Sequence, residues 1–395
     1  MFIKHRYVSI CSHKKYKCPP QKDIEGGWNR RKTLEKKIRA GVIGATGYVG
    51  QRFISLLENH PWFECVAVCA SPKSAGKTYE EACGDRWKID APMPEYVKKM
   101  IVYSSDDIEN FCEQVDFTFC AVDMKKDEIR ALEERIAKTE TPVVSNNSAH
   151  RWTEDVPMII PEINADHAEL IEAQRKRLGT KRGFIAVKPN CSIQSYVPAL
   201  TPFLKNGIKQ ISVCTYQAIS GAGKTFKDWP EMVGNLIPYI GGEEEKSEKE
   251  PLKVWGQFAG DHIELAKNPV ISAQCYRVAV QEGHTAAVSV SFENKPSMDE
   301  MIKAWKEYEG EAQRLELPSA PKHFLQYLEE DNRPQPALDA YYENGMGVSV
   351  ARLREDNIFD YKFTCLSHNT LRGAAGGGML TAELLAKKGY IAPKA

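Results

Sequence analysis

Short apolar runs alternate with amphipathic stretches between residues 37 and 190. The strand-length runs are residues 38–43, 65–70, 101–103, 117–122 and 143–144. The stretches with helical spacing include residues 48–57, which stop at Asn59-His60-Pro61, and residues 125–138. Strands that alternate with helices predict βαβ units, and therefore a parallel sheet.

The pattern changes after residue 191. Residues 211–218, 273–280 and 285–292 have strand composition, with stretches in which apolar and polar side chains alternate. Such alternation predicts an antiparallel sheet in a second domain. Near the C-terminus, "NTLRGAAGGG" at 369–378 predicts a glycine-rich turn that enters a final helix.

Composition narrows the class of protein. A chain of 395 residues with 42% hydrophobic and 27% charged residues is typical of a globular protein of two or three domains. The net charge of zero argues against a nucleic-acid partner, and the absence of a run of about 18 apolar residues argues against a membrane span. The 11 cysteines are irregularly spaced and form no C-x-x-C pair, so we expect no metal site and a reducing, cytoplasmic location.

The first 36 residues form a basic extension that differs from the rest of the chain. Up to Lys37 the chain carries 11 Lys and Arg against three acidic residues. This composition is typical of a disordered tail or of a start codon assigned too early. An organelle transit peptide is the alternative, because the segment is poor in acidic residues, although it has few serines and more Lys than Arg.

A glycine-rich turn, "GVIGATGYVG", follows the first predicted strand, with glycines at 41, 44, 47 and 50. Glycines here let the backbone approach a pyrophosphate, which the N-terminus of the next helix attracts. The spacing departs from G-x-G-x-x-G, and a tight turn without a ligand is the alternative. Its place in the first βα unit favours a nucleotide site.

The loop after the second predicted strand indicates whether the bound nucleotide carries a free ribose 2′-hydroxyl, as NAD does, or a 2′-phosphate. NAD enzymes usually carry Asp or Glu there to bind the ribose 2′-hydroxyl. This chain has "ASPKSAGK" at 70–77, which offers hydroxyls, backbone amides and two lysines instead. Such donors suit a 2′-phosphate, although an ordinary polar loop has the same composition.

Cys191 is a candidate nucleophile in the segment "VKPNCSIQSY" at 187–196, between a predicted strand and a predicted helix. A thiolate in the first turn of a helix is stabilised by the helix dipole, although a buried structural cysteine fits the same pattern. His284, at a turn glycine in "VQEGHTAAV", is a candidate base. Arg277 lies in the otherwise apolar strand "CYRVAV", where an arginine pairs with an acid or binds a ligand carboxylate.

Two polar segments are weaker indications of a functional site. The acidic stretch "EEEKSEKE" at 243–250 is typical of a solvated helix face. The segment "SNNSAHR" at 145–151 follows a predicted strand, and loops at the carboxyl ends of parallel strands line the ligand crevice.

Taken together in order, these segments resemble the aspartate-semialdehyde dehydrogenases, most closely their archaeal and fungal branch. The resemblance runs from Lys37 to the C-terminus. The matching segments are GATGYVGQRF, ASPKSAGK, SNNSAHR, PEINADH, KPNCS, TYQAISGAGK, EEEK, RVAVQEGHTAAV and NTLRGAAGG. KPNCS also argues against the related N-acetyl-glutamyl-phosphate reductases, whose nucleophile segment has Gly-Cys.

The resemblance implies an α/β fold with two domains. A Rossmann-like parallel-sheet nucleotide-binding domain is expected at 37–188, completed by the C-terminal helix at 366–395. An α+β catalytic and dimerisation domain with a mostly antiparallel sheet is expected at 189–365. The family also implies a homodimer or homotetramer with no nucleic-acid or membrane partner.

The resemblance assigns roles to individual residues. Cys191 is the implied nucleophile that forms a thioacyl enzyme, His284 the acid/base, and Gln217 the residue that orients the acyl group. The residues implied to bind substrate and phosphate are Arg277, which holds the α-carboxylate, and Glu243, Lys246, Asn147 and Arg151. The residues implied to bind NADP are Gly44, Thr46, Gly47, Tyr48, Val49, Ser71, Ser74, Ser220, Gly221 and Asn369. No metal ligand is implied.

The implied reaction is the NADPH-dependent reduction of L-aspartyl-4-phosphate to L-aspartate-4-semialdehyde, in lysine, threonine and methionine biosynthesis. A malonyl-CoA or succinyl-CoA reductase of the same fold is the alternative. A cofactor-binding protein without catalysis is a third hypothesis, which the joint presence of Cys191, Gln217, Arg277 and His284 opposes. Tyr48 departs from the small residue common in the family, so we expect its ring to point away from the phosphates. Ala279 stands where the family often has proline.

Overall fold

The computed structural model describes residues 36–394. The predicted basic extension therefore lies outside the described residues, except for Lys36, which is exposed. Within the described part of the chain, no helix is both long enough and apolar enough to cross a membrane.

The first half of the described chain forms a parallel six-stranded sheet. Its strands and helices are β1 (Ile38–Ile43), α1 (Tyr48–Leu57), β2 (Phe63–Ala70), α2 (Tyr79–Cys83), α3 (Glu95–Lys98), β3 (Val102–Ser104), α4 (Ile108–Gln114), β4 (Phe117–Cys120), α5 (Lys126–Lys138), β5 (Val143–Ser145), α6 (Leu170–Leu178) and β6 (Ile185–Val187). The strand order is β3-β2-β1-β4-β5-β6, and all pairs are parallel. This is the Rossmann order, so the predicted fold of this half is confirmed.

Strand β1 lies at the centre of this sheet, between β2 and β4. The strands that follow β1 in the chain are added first on one side of it and then, from β4 onward, on the other. Its side chains are buried on both faces, because helices cover both sides of a parallel sheet. Helix α1 packs on one face through Phe53, whose ring stacks on Phe119 of β4 with the ring centroids 4.3 Å apart. In open parallel sheets, ligands bind at the carboxyl ends of the strands near this reversal.

The second half builds a seven-stranded sheet. Its strands and helices are α7 (Ile193–Leu200), β7 (Ile208–Gln217), β8 (Leu236–Ile237), α8 (Glu243–Val254), β9 (Gln257–Phe258), β10 (Ile263–Glu264), β11 (Val270–Val278), β12 (His284–Phe292), α9 (Met298–Glu307), α10 (Glu311–Arg314), β13 (Leu325–Leu328), α11 (Pro336–Asp339), β14 (Val348–Glu355), β15 (Tyr361–Ser367) and α12 (Gly376–Lys387). The strand order is β13-β14-β15-β12-β7-β11-β8, while β9 and β10 form a separate pair.

This sheet is mostly antiparallel, as predicted, but two of its pairs are parallel. Strand β11 runs parallel to β7, and β13 runs parallel to β14. The first exception has a clear cause, because α8 lies between β7 and β11 in the chain and a crossover of that length allows parallel pairing. Side chains of β12 alternate between buried and half-buried along the whole strand.

Helix α12 returns to the first sheet. Its apolar side chains belong to the same buried cluster as those of α1 and β1. Gly378 lies so close to Phe53 that an added Cβ would be 2.8 Å from the ring. A π-helical turn, Leu371–Ala375, precedes α12 and lies beside the segment that carries Cys191.

Candidate active site

The glycine-rich turn between β1 and α1 is too tight to accept side chains at two positions. Gly44 has φ +78°, and an added Cβ would lie 2.3 Å from the carbonyl oxygen of Ala121. A Cβ on Gly50 would lie 2.2 Å from the carbonyl oxygen of Gly44. The glycines therefore allow α1 to begin directly at the carboxyl end of β1.

The N-terminus of α1 is suited to a phosphate group. Gly47 precedes the helix without a side-chain cap, and the first turn contains no acidic residue. The first amides of a helix have no intrahelical acceptor and attract anions. Gln51 fixes the turn, because its Nε2 donates to the carbonyl oxygens of Thr46 (2.9 Å) and Arg86 (2.8 Å).

The loop after β2 fits a 2′-phosphorylated ribose. Ser71 is exposed and Ser74 is buried, and the amide of Ser74 donates to the carbonyl of Ser71 at 2.9 Å. Lys73 and Lys77 are exposed on the same loop. The loop offers donors and positive charge and contains no carboxylate, so the predicted preference for NADP has a chemical basis in the structure.

Cys191 and His284 lie together where the two sheets meet. Cys191 follows β6 and stands just before α7, whereas His284 is the first residue of β12. The Sγ of Cys191 is 3.4 Å from Nε2 of His284. A thiol and an imidazole in this contact are able to act as a nucleophile and an acid/base pair.

The structure selects one tautomer of His284. The backbone N–H of Ala218 donates to Nδ1 at 3.1 Å, so the neutral ring carries its proton on Nε2, facing Cys191. Burial lowers the pKa of His284 well below its ordinary value, and the positive charge of Arg277 lowers it further. His284 is therefore neutral at physiological pH and offers a proton to the nucleophile side of the site.

The environment of Cys191 contains opposing charges. Burial raises the pKa of its thiol, and so does the carboxylate of Glu243, whereas Lys188, Arg277 and Arg151 favour the thiolate. Gly373 lies against it, because an added Cβ there would be 2.7 Å from the Cβ of Cys191. The thiol is half-buried, and three cations nearby favour its charged form.

Helix α8 presents a polar face to the cysteine segment. Glu243, Ser247 and Glu250 are buried along this face, at spacings of four and three residues. Both carboxylate oxygens of Glu243 accept from Nδ2 of Asn190 at 3.0 Å, and Glu250 accepts from the amide of Asn190 at 2.6 Å. The acidic stretch therefore forms one wall of the site and is more than a solvated helix face.

Glu243 is contacted by Lys246, which was predicted to bind substrate, and by Gln217, which was predicted to orient the acyl group. Nζ of Lys246 donates to it at 2.7 Å, and Nε2 of Gln217 lies 3.4 Å from it. Arg277 is buried, and its Nη1 donates to the carbonyl oxygen of Ala218 at 2.7 Å. The structure thus brings Cys191, His284, Gln217, Glu243, Lys246 and Arg277 together.

Arg151 and Asn147 differ in where their side chains point. Arg151 is buried beside the cysteine segment, where it pairs with Glu250 at 2.8 Å and donates to the carbonyl of Lys188 at 3.1 Å. Asn147 instead donates through Nδ2 to the carboxylate of Glu133 on α5, at 2.9 Å. Its amide is engaged within the protein, so its role at the phosphate remains a prediction.

Asn369 and Ser220 link the segment of His284 to the C-terminal part of the chain. Asn369 accepts from the amide of Gly283 at 2.8 Å and donates to Oγ of Ser220 at 2.7 Å. Gly221 lies between Arg277 and His284, since an added Cβ would be 2.9 Å from Nη1 of the arginine and 3.1 Å from Cε1 of the histidine. Their contacts with a cofactor remain predictions.

The sequence analysis missed Glu282, which joins the two halves of the site. The hydroxyl of Tyr48 donates to it at 2.6 Å, Arg52 at 3.0 Å and Ser220 at 2.8 Å. The Tyr48 ring is thus turned toward the catalytic half. The position of Glu282, two residues before His284, was the only available signal.

The sequence analysis also assigned no role to Asn190, Glu250 or Lys188. Asn190 and Lys188 lie within the motif KPNCS, and Glu250 lies seven residues after Glu243 on the same helix face. The contact of Asn190 with Glu250 joins residues 60 positions apart in the chain, so no local pattern reveals it. Among residues 36–394, no group of three or more His, Cys, Asp or Glu side chains could hold a metal ion.

Comparison with known proteins gives a consistent result. Residues 39–171 match the family model for the NAD binding domain of semialdehyde dehydrogenase, and residues 200–372 match that for its dimerisation domain. The aspartate-semialdehyde dehydrogenase of Archaeoglobus fulgidus is 40% identical over 355 residues, which cover 90% of this chain and 100% of that protein. That of Saccharomyces cerevisiae is 42% identical over 370 residues, with 90% and 99% covered. The crystal structure of the Candida albicans enzyme with NADP has 38% identity and a TM-score of 0.81, and covers 90% of this chain and 100% of that one.

Proposed function

The chain belongs to the aspartate-semialdehyde dehydrogenase family, and we propose that it converts L-aspartyl-4-phosphate to L-aspartate-4-semialdehyde and phosphate through a thioester on Cys191. The observation that carries this proposal is the contact of 3.4 Å between Cys191 Sγ and His284 Nε2, beside Arg277 and Glu243. This arrangement supports Cys191 as the nucleophile, His284 as the proton donor and Arg277 as the cation that binds the substrate carboxylate.

The first step is acyl transfer to the cysteine. The Cys191 thiolate attacks the acyl phosphate carbon, the C–S bond forms, the C–O bond to phosphate breaks, and phosphate leaves with the bonding electrons. Lys246 and Arg151 neutralise charge on the leaving group. Arg277 binds the α-carboxylate and so fixes the reacting carbonyl beside the sulfur.

The second step reduces the thioester. NADPH, when bound, would supply the hydride. The thioester oxygen becomes an oxyanion, which the Nε2–H of His284 stabilises, and any proton passed to this oxygen returns to Nε2 in the next step. The oxygen then re-forms the carbonyl of the aldehyde as the C–S bond breaks, and the thiolate is restored. Neutral His284 suits this task, because its proton on Nε2 faces the sulfur and its Nδ1 is occupied by the amide of Ala218.

The cofactor is assigned to the edge of the first sheet. The family model for an NAD binding domain and the NADP-containing relative from Candida albicans support NADP as the ligand. The amides at the start of α1 and the loop after β2 would hold its phosphates, with Gly44, Thr46, Gly47, Tyr48, Val49, Ser71 and Ser74 at these places. Ser220, Gly221 and Asn369 would complete the site from the catalytic half.

The assay that tests the reaction runs it in reverse. L-aspartate-4-semialdehyde, NADP and phosphate are mixed with the protein, and reduction of NADP is followed by absorbance. We expect turnover that requires phosphate. A matched assay with malonate or succinate semialdehyde, and with coenzyme A in place of phosphate, tests the alternative of a malonyl-CoA or succinyl-CoA reductase. Turnover with coenzyme A and none with phosphate would reject the acyl-phosphate substrate.

We further propose that the enzyme acts in the cytoplasm, in lysine, threonine and methionine biosynthesis, as a homodimer or homotetramer. The match of residues 200–372 to a dimerisation domain supports an oligomer. Light scattering with size-exclusion chromatography measures its mass, and a mass of one chain would contradict the oligomer.

A further inference from the structure

Glu250 is a buried carboxylate on α8 that contacts two different segments of the site. Its side chain is 1% exposed. Oε1 accepts from Nη1 of Arg151 at 2.8 Å, and Oε2 accepts from the backbone amide of Asn190 at 2.6 Å. Arg151 lies in the segment after β5, and Asn190 is the residue directly before Cys191. One carboxylate therefore connects the segment after β5 to the nucleophile segment.

The contacts of Arg151 fix the direction of its guanidinium. Besides the contact of Nη1 with Glu250, its Nε donates to the carbonyl oxygen of Lys188 at 3.1 Å, and its Nη2 donates to that of Asn146 at 3.4 Å. A guanidinium has five N–H donors, so two of them have no acceptor among residues 36–394. These two donors are available to the phosphate that Arg151 is proposed to neutralise.

Contacts of Asn190 restrain the turn that carries Cys191. The amide of Asn190 donates to Glu250, and its side chain spans the cysteine. Nδ2 donates to Glu243 at 3.0 Å, and Oδ1 accepts from the amide of Ser192 at 2.7 Å. The backbone on both sides of the cysteine is thus fixed through this asparagine.

A second buried pair shows the geometry of an ion pair that joins only two side chains. Glu162 directs both carboxylate oxygens at Arg372, in two contacts of 2.6 Å. Such a bidentate pair holds one guanidinium in one orientation. Glu250 instead divides its oxygens between a guanidinium and a backbone amide. The length of its side chain therefore sets the spacing between Arg151 and the nucleophile segment.

We propose that Glu250 is a positioning residue that sets the distance between the nucleophile and the cation for the leaving phosphate. The proposal rests on the proposed function, in which Cys191 attacks the acyl phosphate and Arg151 binds the departing group. Attack and departure take place at one carbon, so the sulfur and the guanidinium must be held at a fixed spacing. The length of Glu250 maintains this spacing, whereas its negative charge by itself would weaken the binding of an anion.

The test measures phosphate binding without turnover. Cys191 is alkylated with iodoacetamide at fixed pH and constant ionic strength, while inorganic phosphate is added at increasing concentrations, and peptide mass spectrometry follows the modification. Bound phosphate should slow alkylation, and the concentration that halves the rate measures its affinity. Glu250→Asp keeps the charge but shortens the side chain by about 1.5 Å, so it cannot reach both partners. We expect this variant to need about tenfold more phosphate than wild type.

Glu250→Gln separates the effect of position from that of charge. The glutamine keeps the length of the side chain, but its single oxygen accepts from only one of the two partners. A role in charge alone predicts tighter phosphate binding in this variant, whereas the positioning role predicts weaker binding. Wild-type affinity in Glu250→Asp, or tighter binding in Glu250→Gln, would overturn the proposal. If the aspartate variant does not fold, the glutamine variant decides.

Glu383→Asp is the matched control, because the carboxylate of Glu383 on α12 is also buried and also divided. One oxygen is 2.9 Å from Nε2 of His60, and the other accepts from the amide of Ser319 at 2.8 Å. Its affinity for phosphate should equal that of wild type, and an equal loss in both Glu→Asp variants would reject the positioning role. If phosphate does not protect the wild-type cysteine, the acyl-phosphate reaction fails together with the inference. Protection of wild type with unchanged affinity in Glu250→Asp rejects the inference alone.

Discussion

At the residue scale, the site depends on which group faces which. The backbone amide of Ala218 donates to Nδ1 of His284, so the other ring nitrogen, Nε2, is the one that contacts the sulfur of Cys191. Arg277 uses one nitrogen on the carbonyl of Ala218, which orients the rest of its guanidinium. The proposed roles of Cys191 as the nucleophile and of Arg277 as the cation that binds the carboxylate are each tested by one substitution.

Replacing Cys191 by Ala should abolish turnover while NADP binding survives. Cys191 lies in the segment between β6 and α7, separate from the glycine-rich turn after β1. Activity is measured with the phosphate-dependent assay, and binding by calorimetric titration with NADP. If the variant kept more than a few per cent of wild-type activity, the covalent mechanism would be wrong. Loss of binding as well would indicate a folding defect, so the binding measurement is the control.

Replacing Arg277 by Lys should raise the substrate KM sharply and lower kcat. Lysine keeps the charge but loses the planar fork that grips a carboxylate with two hydrogen bonds, and a misplaced carboxylate displaces the reacting carbonyl. Steady-state kinetics with varied semialdehyde measure both constants, and the KM for NADP is the internal control. Constants equal to those of wild type would remove Arg277 from the site.

At the element scale, the site is built from the ends of strands and from one face of a helix. Helix α8 supplies Glu243 and Glu250, whose spacing places both carboxylates against the cysteine segment. Strands β7, β11 and β12 deliver Gln217, Arg277 and His284 at neighbouring ends of one sheet. The loop after β2 is an element whose function has a direct test.

The Ser71→Asp variant should reverse or erase the preference for NADP over NAD. The wild-type loop offers hydroxyls and lysines without a carboxylate, so we expect NADP to be favoured by about tenfold or more, equivalent to about 1.4 kcal/mol. A carboxylate would repel the 2′-phosphate and accept from a ribose hydroxyl. The measurement is kcat/KM for both cofactors, and Ser71→Ala, which adds no charge, is the control. Equal use of both cofactors by wild type would mean that this loop does not read the 2′-position.

At the scale of the whole molecule, the two sheets are joined by polar contacts around Glu282. This carboxylate accepts from Tyr48 and Arg52 on α1 and from Ser220 beyond β7. Burial works against its charge, but His368, Arg52 and the Tyr48 hydroxyl outweigh burial and keep the pKa of Glu282 below its ordinary value. The start of the cofactor-binding helix is therefore tied to the segment of His284.

Replacing Tyr48 by Phe should weaken this connection. Loss of a hydroxyl that donates to a charged group at 2.6 Å should lower the free energy of unfolding by about 1 to 3 kcal/mol. Urea unfolding measures the change, and Tyr239→Phe is the control, because Tyr239 is 59% exposed. In a cycle with Glu282→Gln, the two changes should couple by roughly 1 kcal/mol. Simple additivity would show that the hydrogen bond contributes nothing.

Because the ring of His368 is buried, the free energy of unfolding should decrease as the pH is lowered. Its side chain is fully buried, its Nδ1 accepts from the amides of Thr370 and Leu371, and burial lowers its pKa from 6.5 to about 4. Between these values the unfolded chain binds a proton that the folded chain does not, so the free energy of unfolding decreases as pH falls from 6.5 toward 4. The loss due to His368 is on the order of 3 kcal/mol.

The measurement for His368 is urea unfolding at pH 7, 5.5 and 4.5. The control is His368→Asn, which keeps a side-chain acceptor for the two amides and does not titrate. We expect a shallower fall for the variant than for wild type over this range. Parallel curves would show that His368 is protonated equally in both states.

The sequence by itself determined the elements and the order of the motifs. Strand β1 and helix α1 have the predicted bounds, and the parallel sheet of the first half follows from local alternation of strands and helices. These features depend on neighbouring residues, since apolar periodicity and turn glycines act within a few positions of the chain. The motifs also predicted the family, because their chemistry is carried by short segments.

Only the tertiary structure decided which strands and which polar side chains pair when they lie far apart in the chain. Three contacts illustrate this: β11 pairs in parallel with β7, Glu243 of α8 accepts from Asn190, and Tyr48 donates to Glu282. They join segments between 53 and 234 residues apart. Such contacts are chosen by packing and by the need to pair buried charges, which no local pattern encodes.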